Sequence, residues 1–189
     1  MRRLAGELDT GAASLYVYFK DIDELYLAVL DELLGTLDLR RGRRPWRKRL
    51  ISLLASYTEL LTSYPTLAKT ALFARPSDAN SVRLWELMLA LLYEGGVGGR
   101  DAAWTGDLLL QRATATAAEQ AVRLHNPKTT AANDEVADVL SGLSPTDHPR
   151  LTALREEMLS GTPTTRLIWS LEVLIDGITT RPPQPEKPS

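Results

Sequence analysis

Side chains able to do catalytic chemistry are few in this sequence, and they lie far apart. It has two histidines, His125 and His148, and no cysteine. No His-x-x-x-His or carboxylate–histidine spacing of a metal site occurs, and no Gly-x-Ser-x-Gly turn presents a serine nucleophile. The glycines within 95–99 lack the Lys-Ser/Thr pair of a phosphate-binding loop. We therefore expect neither an enzyme nor a bound metal or cofactor.

Side chains suited to nucleic acid are instead concentrated at the amino end. Apolar residues at helical spacing predict a short helix over residues 2–8. Asp9-Thr10-Gly11 then forms a turn, because aspartate and glycine tolerate a left-handed backbone. A second helix is predicted over residues 12–19. Two short helices joined by a tight turn are the geometry of a helix-turn-helix, whose second helix enters the major groove of DNA.

A third helix has to carry this pair. Asp21 is predicted to cap it, with Glu24 three residues later as in a capping box. Its apolar stripe follows helical spacing without a break and consists of Ile22, Leu25, Tyr26, Val29, Leu30, Leu33 and Leu37. We therefore expect the helix to reach about Leu37 and to join the head to the rest of the chain.

The same residues resemble the DNA-binding signature of TetR-family transcriptional regulators. The similarity rests on Leu4-Ala5, Leu8, the run Ser14-Leu15-Tyr16-Val17-Tyr18-Phe19-Lys20, and Glu24-Leu25. In this family a first helix normally precedes the position of Arg2 and packs over the other two. Because the sequence begins at Met1, inside the signature, we expect that helix to be missing, through truncation or a wrongly assigned start. Asp9 also stands where glycine is usual.

The resemblance further implies DNA contacts. By match to the signature, the residues that face DNA are Arg2, Arg3, Thr10, Ala12, Ala13, Ser14, Tyr16, Val17, Tyr18 and Lys20. Arginine can read guanine or hold phosphate, hydroxyl groups commonly hold phosphate, and small apolar groups can touch thymine methyls. Leu15 and Phe19 are expected to point inward. The resemblance also implies a homodimer on a palindromic operator, acting as a repressor.

A dense run of cations follows the third helix. It consists of Arg40, Arg41, Arg43, Arg44, Arg47, Lys48 and Arg49. One interpretation is contact with DNA phosphates, and the other is a solvated linker between two helices. The linker interpretation is favoured, since a helix of about sixteen residues carries its far end roughly 24 Å from the duplex.

The remainder of the chain is predicted to be a helical body, because no period-2 pattern indicates a strand. Helices are predicted at 46–63, 66–73, 79–94, 100–124, 134–140, 148–159 and 163–178, with a loop at 128–133. The predicted fold class is all-α, with a small helix-turn-helix head and a larger helical bundle for ligand binding and dimerisation. The predicted domains are residues 1–39, residues 40–180 and a disordered, proline-rich tail at 181–189.

Large apolar or amphipathic side chains occur on several of these predicted helices. Clefts between bundle helices are usual places for small ligands. The candidate ligand-binding residues are Trp85, Met88, Tyr93, Trp104, Met158 and Trp169. The same side chains could instead simply fill a core. The helices at 100–124 and 163–178 are the candidates for a dimer interface.

Composition sets the outer limits of the interpretation. The chain has 189 residues and a net charge of −2, with no long apolar run and no charged-then-apolar leader. We therefore expect neither a membrane span nor a secretory signal, and a cytoplasmic location. The favoured hypothesis is a ligand-responsive transcriptional regulator that binds double-stranded DNA and a small apolar or amphipathic ligand. The alternative is a helical small-molecule-binding or scaffold protein that does not bind DNA.

Overall fold

The computed structural model describes residues 19–40, 42–125 and 128–181, with the backbone alone for 128–134. These ranges contain helices and no strand, which confirms the all-α prediction. The nine helices within them are α1 (Ile22–Leu34), α2 (Trp46–Thr62), α3 (Pro65–Ala71), α4 (Ala79–Glu94), α5 (Gly99–His125), α6 (Lys128–Ser141), α7 (Pro149–Ala153), α8 (Arg155–Leu159) and α9 (Pro163–Thr179). None of these helices has the length and apolarity needed to cross a membrane.

The boundaries of the longest helices agree closely with prediction, but three details were wrong. The loop predicted at 128–133 is helical, because α6 begins at Lys128 and no glycine or proline interrupts it. The helix predicted over 148–159 is two short helices that break at Leu154. Neither of them has a buried residue, so no packing holds them in one rod.

The third error concerns the end of α1, which stops at Leu34 and not at Leu37. The backbone N–H groups of Thr36 and Leu37 each donate to the carbonyl three residues earlier, at 3.1 Å, so the last turn is tighter than an α-helix. The helices predicted over 2–8 and 12–19 and the tail beyond 181 lie outside the described residues, except for Phe19. That residue is half-buried in the non-helical chain just before α1.

The start of α1 is capped as the sequence indicates. The Asp21 carboxylate accepts a hydrogen bond of 2.8 Å from the backbone N–H of Glu24. The Glu24 carboxylate reaches back to the backbone N–H of Lys20, at 2.6 Å, one residue before the position a capping box would use. Both bonds satisfy donors that would otherwise lack partners near the beginning of the helix. The entry of the chain into α1 is therefore well defined from Lys20 onward.

The core of the body forms around α2 and α5, which pack against each other. Ala113, Ala117 and Ala121 lie on one face of α5 and are fully buried, so small side chains let α2 approach closely. The hydroxyl of Tyr57 bonds to that of Thr114 at 2.8 Å across this contact. Helices α3, α4 and α9 pack around the pair, and α1 packs on α3 and α4. The body thus presents α1 with a fixed surface.

Candidate functional site

A cavity of about 50 Å³ lies where α1 packs on the body, and we call it the α1 cavity. The α1 wall consists of Leu27, Leu30, Asp31 and Leu34. The other walls come from α2 to α5 and from the segment that joins α3 to α4, and they include Tyr57, Ala71, Ala74, Pro76, Ser81, Leu84, Trp85 and Leu110. Arg75 and Asp78 also line the cavity, which is otherwise mainly apolar and has the Asp31 carboxylate on the α1 side.

Asp31 ties α1 to the first turn of α4. Its Oδ1 accepts from the backbone N–H of Ser81 at 2.8 Å, and its Oδ2 accepts from the backbone and side-chain nitrogens of Asn80, both at 3.1 Å. The first N–H groups of a helix have no partner within it, and the positive end of the helix dipole lies there. Asp31 therefore caps α4 from a different helix.

The end of α1 approaches α4 a second time at Gly35. A Cβ atom on Gly35 would lie 3.0 Å from Nδ2 of Asn80, so a side chain there would press on the residue that Asp31 holds. Leu30 and Leu34 are buried in the core on the same side. The carboxyl-terminal half of α1 is thus fixed to the body, while its amino end leads to residues 1–18, where the head is predicted.

The structure does not bring the six predicted ligand-binding residues together. Trp85 alone among them lines the α1 cavity, where Gly106 of α5 lets its ring lie close. Met88 is fully buried in the core. The other four, Tyr93, Trp104, Met158 and Trp169, are exposed, because they lie on helix faces that no described helix covers.

Two of these exposed aromatics have local partners of their own. The Tyr93 hydroxyl accepts from the backbone N–H of Gly99 at 2.9 Å, which closes the turn between α4 and α5. The Arg100 guanidinium lies 4.9 Å from the ring centre of Trp104. Ligand binding by each of the six residues stays a prediction.

Nearly all the predicted DNA-contacting residues lie outside the described residues. The exception is Lys20, whose side chain is exposed and whose backbone N–H is bonded to Glu24. Lys20 lies two residues before α1 and thus connects the predicted head to that helix. The DNA contacts therefore stay a prediction from the signature.

The cationic run includes ion pairs that fasten helices together. Arg47 pairs with Asp176 of α9, and Arg49 pairs with Glu94 of α4. The hydrogen bond from Arg47 lowers the pKa of Asp176 and raises that of Arg47 itself. Arg40 makes a local pair with Asp38 and lowers the pKa of that carboxyl to about 2. The run is therefore partly structural, which neither interpretation of the sequence foresaw.

No three carboxylates or histidines of the described ranges are grouped to hold a metal ion. Within the described ranges, the 13-residue helix α1 instead packs on the helical body across a small, mainly apolar cavity. Clefts between bundle helices are usual places for small ligands.

Comparison with known proteins identifies the class. A family model described as tetracyclin repressor-like, C-terminal domain, matches residues 40–181. The chain therefore belongs to the TetR family of transcription regulators. Comparison with the curated proteins gave no match.

Solved structures from Streptomyces are similar over nearly the whole chain. ActR of Streptomyces coelicolor in complex with actinorhodin is 32% identical with a TM-score of 0.83, and the match covers 94% of this chain and 85% of that one. Ligand-free ActR is 31% identical with the same TM-score, over 95% of this chain and 85% of that one. SCO7704, named as a candidate transcription regulator, is 45% identical with a TM-score of 0.77, over 98% and 87%.

Proposed function

We propose that this protein is a ligand-responsive repressor that binds a palindromic operator as a homodimer. Membership of the TetR family supports DNA binding. The ligand response is supported by the position of α1, because the helix that follows the predicted head forms one wall of the α1 cavity. The similarity to ActR, which binds actinorhodin, points in the same direction.

The size of the α1 cavity suggests how a ligand acts. Its volume of about 50 Å³ is well below the roughly 300–1,000 Å³ of typical ligand pockets. A ligand can enter only if a wall moves, and α1 is the wall that leads to the predicted head. A ligand that favours the expanded arrangement shifts the population towards it by its difference in affinity. The spacing of two heads in a dimer then changes, and operator affinity changes with it.

DNA binding is tested with the full-length chain and the DNA upstream of its own gene, by fluorescence anisotropy. Tyr16→Phe removes one hydroxyl that we propose to hold phosphate, and we expect affinity to fall about tenfold. Tyr64→Phe is the matched control, because Tyr64 is exposed in the body. Lys20→Gln should make the slope of log affinity against log salt shallower by roughly 0.9 per half-site. Unchanged affinity and slope in both head variants would contradict the groove assignment.

Dimerisation is proposed to use α5 and α9. These helices pack against each other, and both carry large exposed apolar side chains, including Trp104 and Trp169. In sedimentation, the wild-type chain should be a dimer at micromolar concentration and Trp169→Glu a monomer. Val139→Glu, at an exposed apolar position of α6, should remain a dimer. A monomeric wild type would count against the proposal.

Ligand binding is tested by titration with actinorhodin, the ligand named for ActR. Trp85 lines the α1 cavity, so its fluorescence should change on binding, and Trp85→Phe should lose that part of the signal. Release of bound DNA at the same actinorhodin concentration would support the coupled mechanism. A dimer that binds actinorhodin but no DNA would favour the alternative, a helical ligand-binding protein without an operator.

A further inference from the structure

A second and larger cavity, of about 330 Å³, lies between the segment after α1, the first half of α2 and the second half of α4. Four arginines line it, Arg40, Arg43, Arg44 and Arg49, and we call it the arginine cavity. Among the lining residues that the structure describes, Asp38 is the only acidic one, so together they carry four positive charges and one negative, a net of +3. The whole chain has a net charge of −2, so the positive charge is local.

Two of the four arginines are already neutralised. Arg40 is paired with Asp38, and Arg49 is paired with Glu94 on α4. Among the described residues, Arg43 and Arg44 make no hydrogen bond or ion pair, and both are exposed. The Nε atom of Arg49 is also without a hydrogen-bond partner there. The cavity thus holds two uncompensated guanidinium groups beside a third that keeps an unused donor.

Three leucines also line the cavity, and we call them its floor: Leu53 of α2 and Leu87 and Leu91 of α4, of which Leu53 and Leu91 are buried. Ser52 and Ser56 of α2 line it beside them. Guanidinium groups bind carboxylates and phosphates through two parallel hydrogen bonds. A leucine floor below them suits a hydrocarbon group. The volume also falls within the range of small-molecule pockets, unlike that of the α1 cavity.

We propose that the arginine cavity binds a small organic anion, with a carboxylate or phosphate on Arg43 and Arg44 and a short apolar body on the leucines. A DNA duplex fits the site less well, because a duplex is too wide to enter the cavity and its phosphates offer nothing apolar to the floor. The inference does not depend on operator binding, and its test measures ligand affinity alone.

The test uses isothermal titration of the full-length chain with octanoate and with octyl phosphate. The two probes, which we call the octyl anions, contain eight carbons each and differ in the anionic group, so their relative affinities distinguish a carboxylate site from a phosphate site. 1-Octanol has the chain without the charge, and inorganic phosphate has the charge without the chain. We expect at least one octyl anion to bind at least about tenfold more tightly than octanol and inorganic phosphate. Added salt should weaken that binding.

Variants locate the site. The pair Arg43→Gln and Arg44→Gln should weaken binding of the octyl anion at least about tenfold. The pair Arg150→Gln and Arg155→Gln removes the same charge from exposed positions outside the cavity and should leave affinity unchanged. Ser52→Trp places a ring within the cavity and should block binding with every arginine intact. Melting curves should show all variants folded, since the four substituted arginines and Ser52 are exposed.

Three results would overturn the proposal. The first is equal affinity of the two double variants for the octyl anions. The second is failure of both octyl anions to bind, or binding no tighter than that of octanol. The third is binding of a random-sequence DNA duplex that depends on Arg43 and Arg44 while neither octyl anion binds, which would make this surface a contact for the phosphate backbone.

Discussion

Replacing Asp31 with alanine tests the link between α1 and α4. The substitution removes three hydrogen bonds of 2.8–3.1 Å, so the backbone N–H of Asn80 loses its partner and that of Ser81 is left to the side chain of Asp78, the N-cap of α4. It leaves the apolar side of α1 unchanged. Asp31→Asn is the conservative companion, because the amide keeps the shape and one acceptor oxygen but loses the charge and the second acceptor.

The magnitude follows from the kind of bond that is lost. Hydrogen bonds to a charged group contribute about 1.5–3 kcal/mol, and an unpaired buried donor costs about 1–3 kcal/mol. The site is partly buried, so water restores some of the loss, and the three bonds are lost as one unit because they share a carboxylate. We expect Asp31→Ala to destabilise the fold by about 3 kcal/mol and Asp31→Asn by about 1–2 kcal/mol. The larger change lowers Tm by about 6–12 °C for a chain of this size.

Urea unfolding followed by circular dichroism measures both variants. Glu32→Ala is the matched control, because Glu32 is the neighbouring carboxylate on α1, and its side chain is exposed and makes no hydrogen bond among the described residues. The midpoint should shift for Asp31→Ala and stay in place for Glu32→Ala, with similar slopes. Under the proposed mechanism, the ligand-induced change in operator affinity should also shrink in Asp31→Ala, because α1 loses its hydrogen bonds to α4.

A clear result would refute the reasoning. If Asp31→Ala and Glu32→Ala had the same free energy of unfolding within about 0.5 kcal/mol, the cap would contribute nothing measurable. The buried leucines alone would then hold α1 to the body. The position of Asp31 in the cavity wall would have no bearing on how the helix moves.

Three further predictions concern contacts elsewhere in the body. Arg47 holds the pKa of Asp176 below its usual 3.8. Wild type should therefore be more stable than Asp176→Asn above pH 3.8, and this difference should vanish as the pH falls below the lowered pKa. Urea midpoints measured as a function of pH check this. Burial raises the pKa of Tyr57 to about 12, so stability should fall as pH rises above about 10, where only the unfolded phenol ionises. Tyr57→Phe should abolish that fall and cost about 1 kcal/mol through the lost bond to Thr114, and an unchanged pH profile would contradict the assignment. Gly95→Ala should destabilise by about 1–3 kcal/mol, because its Cβ would overlap the half-buried indole ring of Trp46; unaltered melting would show that the ring can shift.

Sequence patterns were sufficient to predict those helices that bury a regular stripe. Leu50, Leu54 and Leu61 of α2 follow helical spacing and are fully buried. The face of α2 that the apolar spacing predicts is therefore the face that packs in the core. The pattern failed where burial is absent. Helices α7 and α8 bury no residue, and a sequence without a buried stripe has no periodic signal that could separate one helix from two.

The α1 cavity was beyond the reach of sequence reasoning for a different reason. Asp31 lies among the leucines of α1, where a carboxylate normally faces solvent, and its partners are 49 and 50 residues further along the chain. No local pattern encodes such a pairing. Large aromatic residues were a poor guide to the cavity, since Trp85 lines it whereas Trp104 and Trp169 are exposed. Residue size indicates that a side chain can line a pocket, but only packing decides which one does.

The two cavities are lined by consecutive parts of the chain, α1 and the residues that follow it, which has a consequence for regulation. Asp31 and Leu34 line the α1 cavity, and Asp38 and Arg40 line the arginine cavity. In the mechanism proposed above, a ligand in the α1 cavity moves this segment, and we expect an anion held by the neighbouring arginines to stiffen it. We therefore expect octyl phosphate to weaken actinorhodin binding, and actinorhodin to weaken octyl phosphate binding by the same factor, since coupling is reciprocal. Titrating each probe in the presence of the other measures that factor, and equal affinities in both titrations would mean that the end of α1 does not connect the two sites.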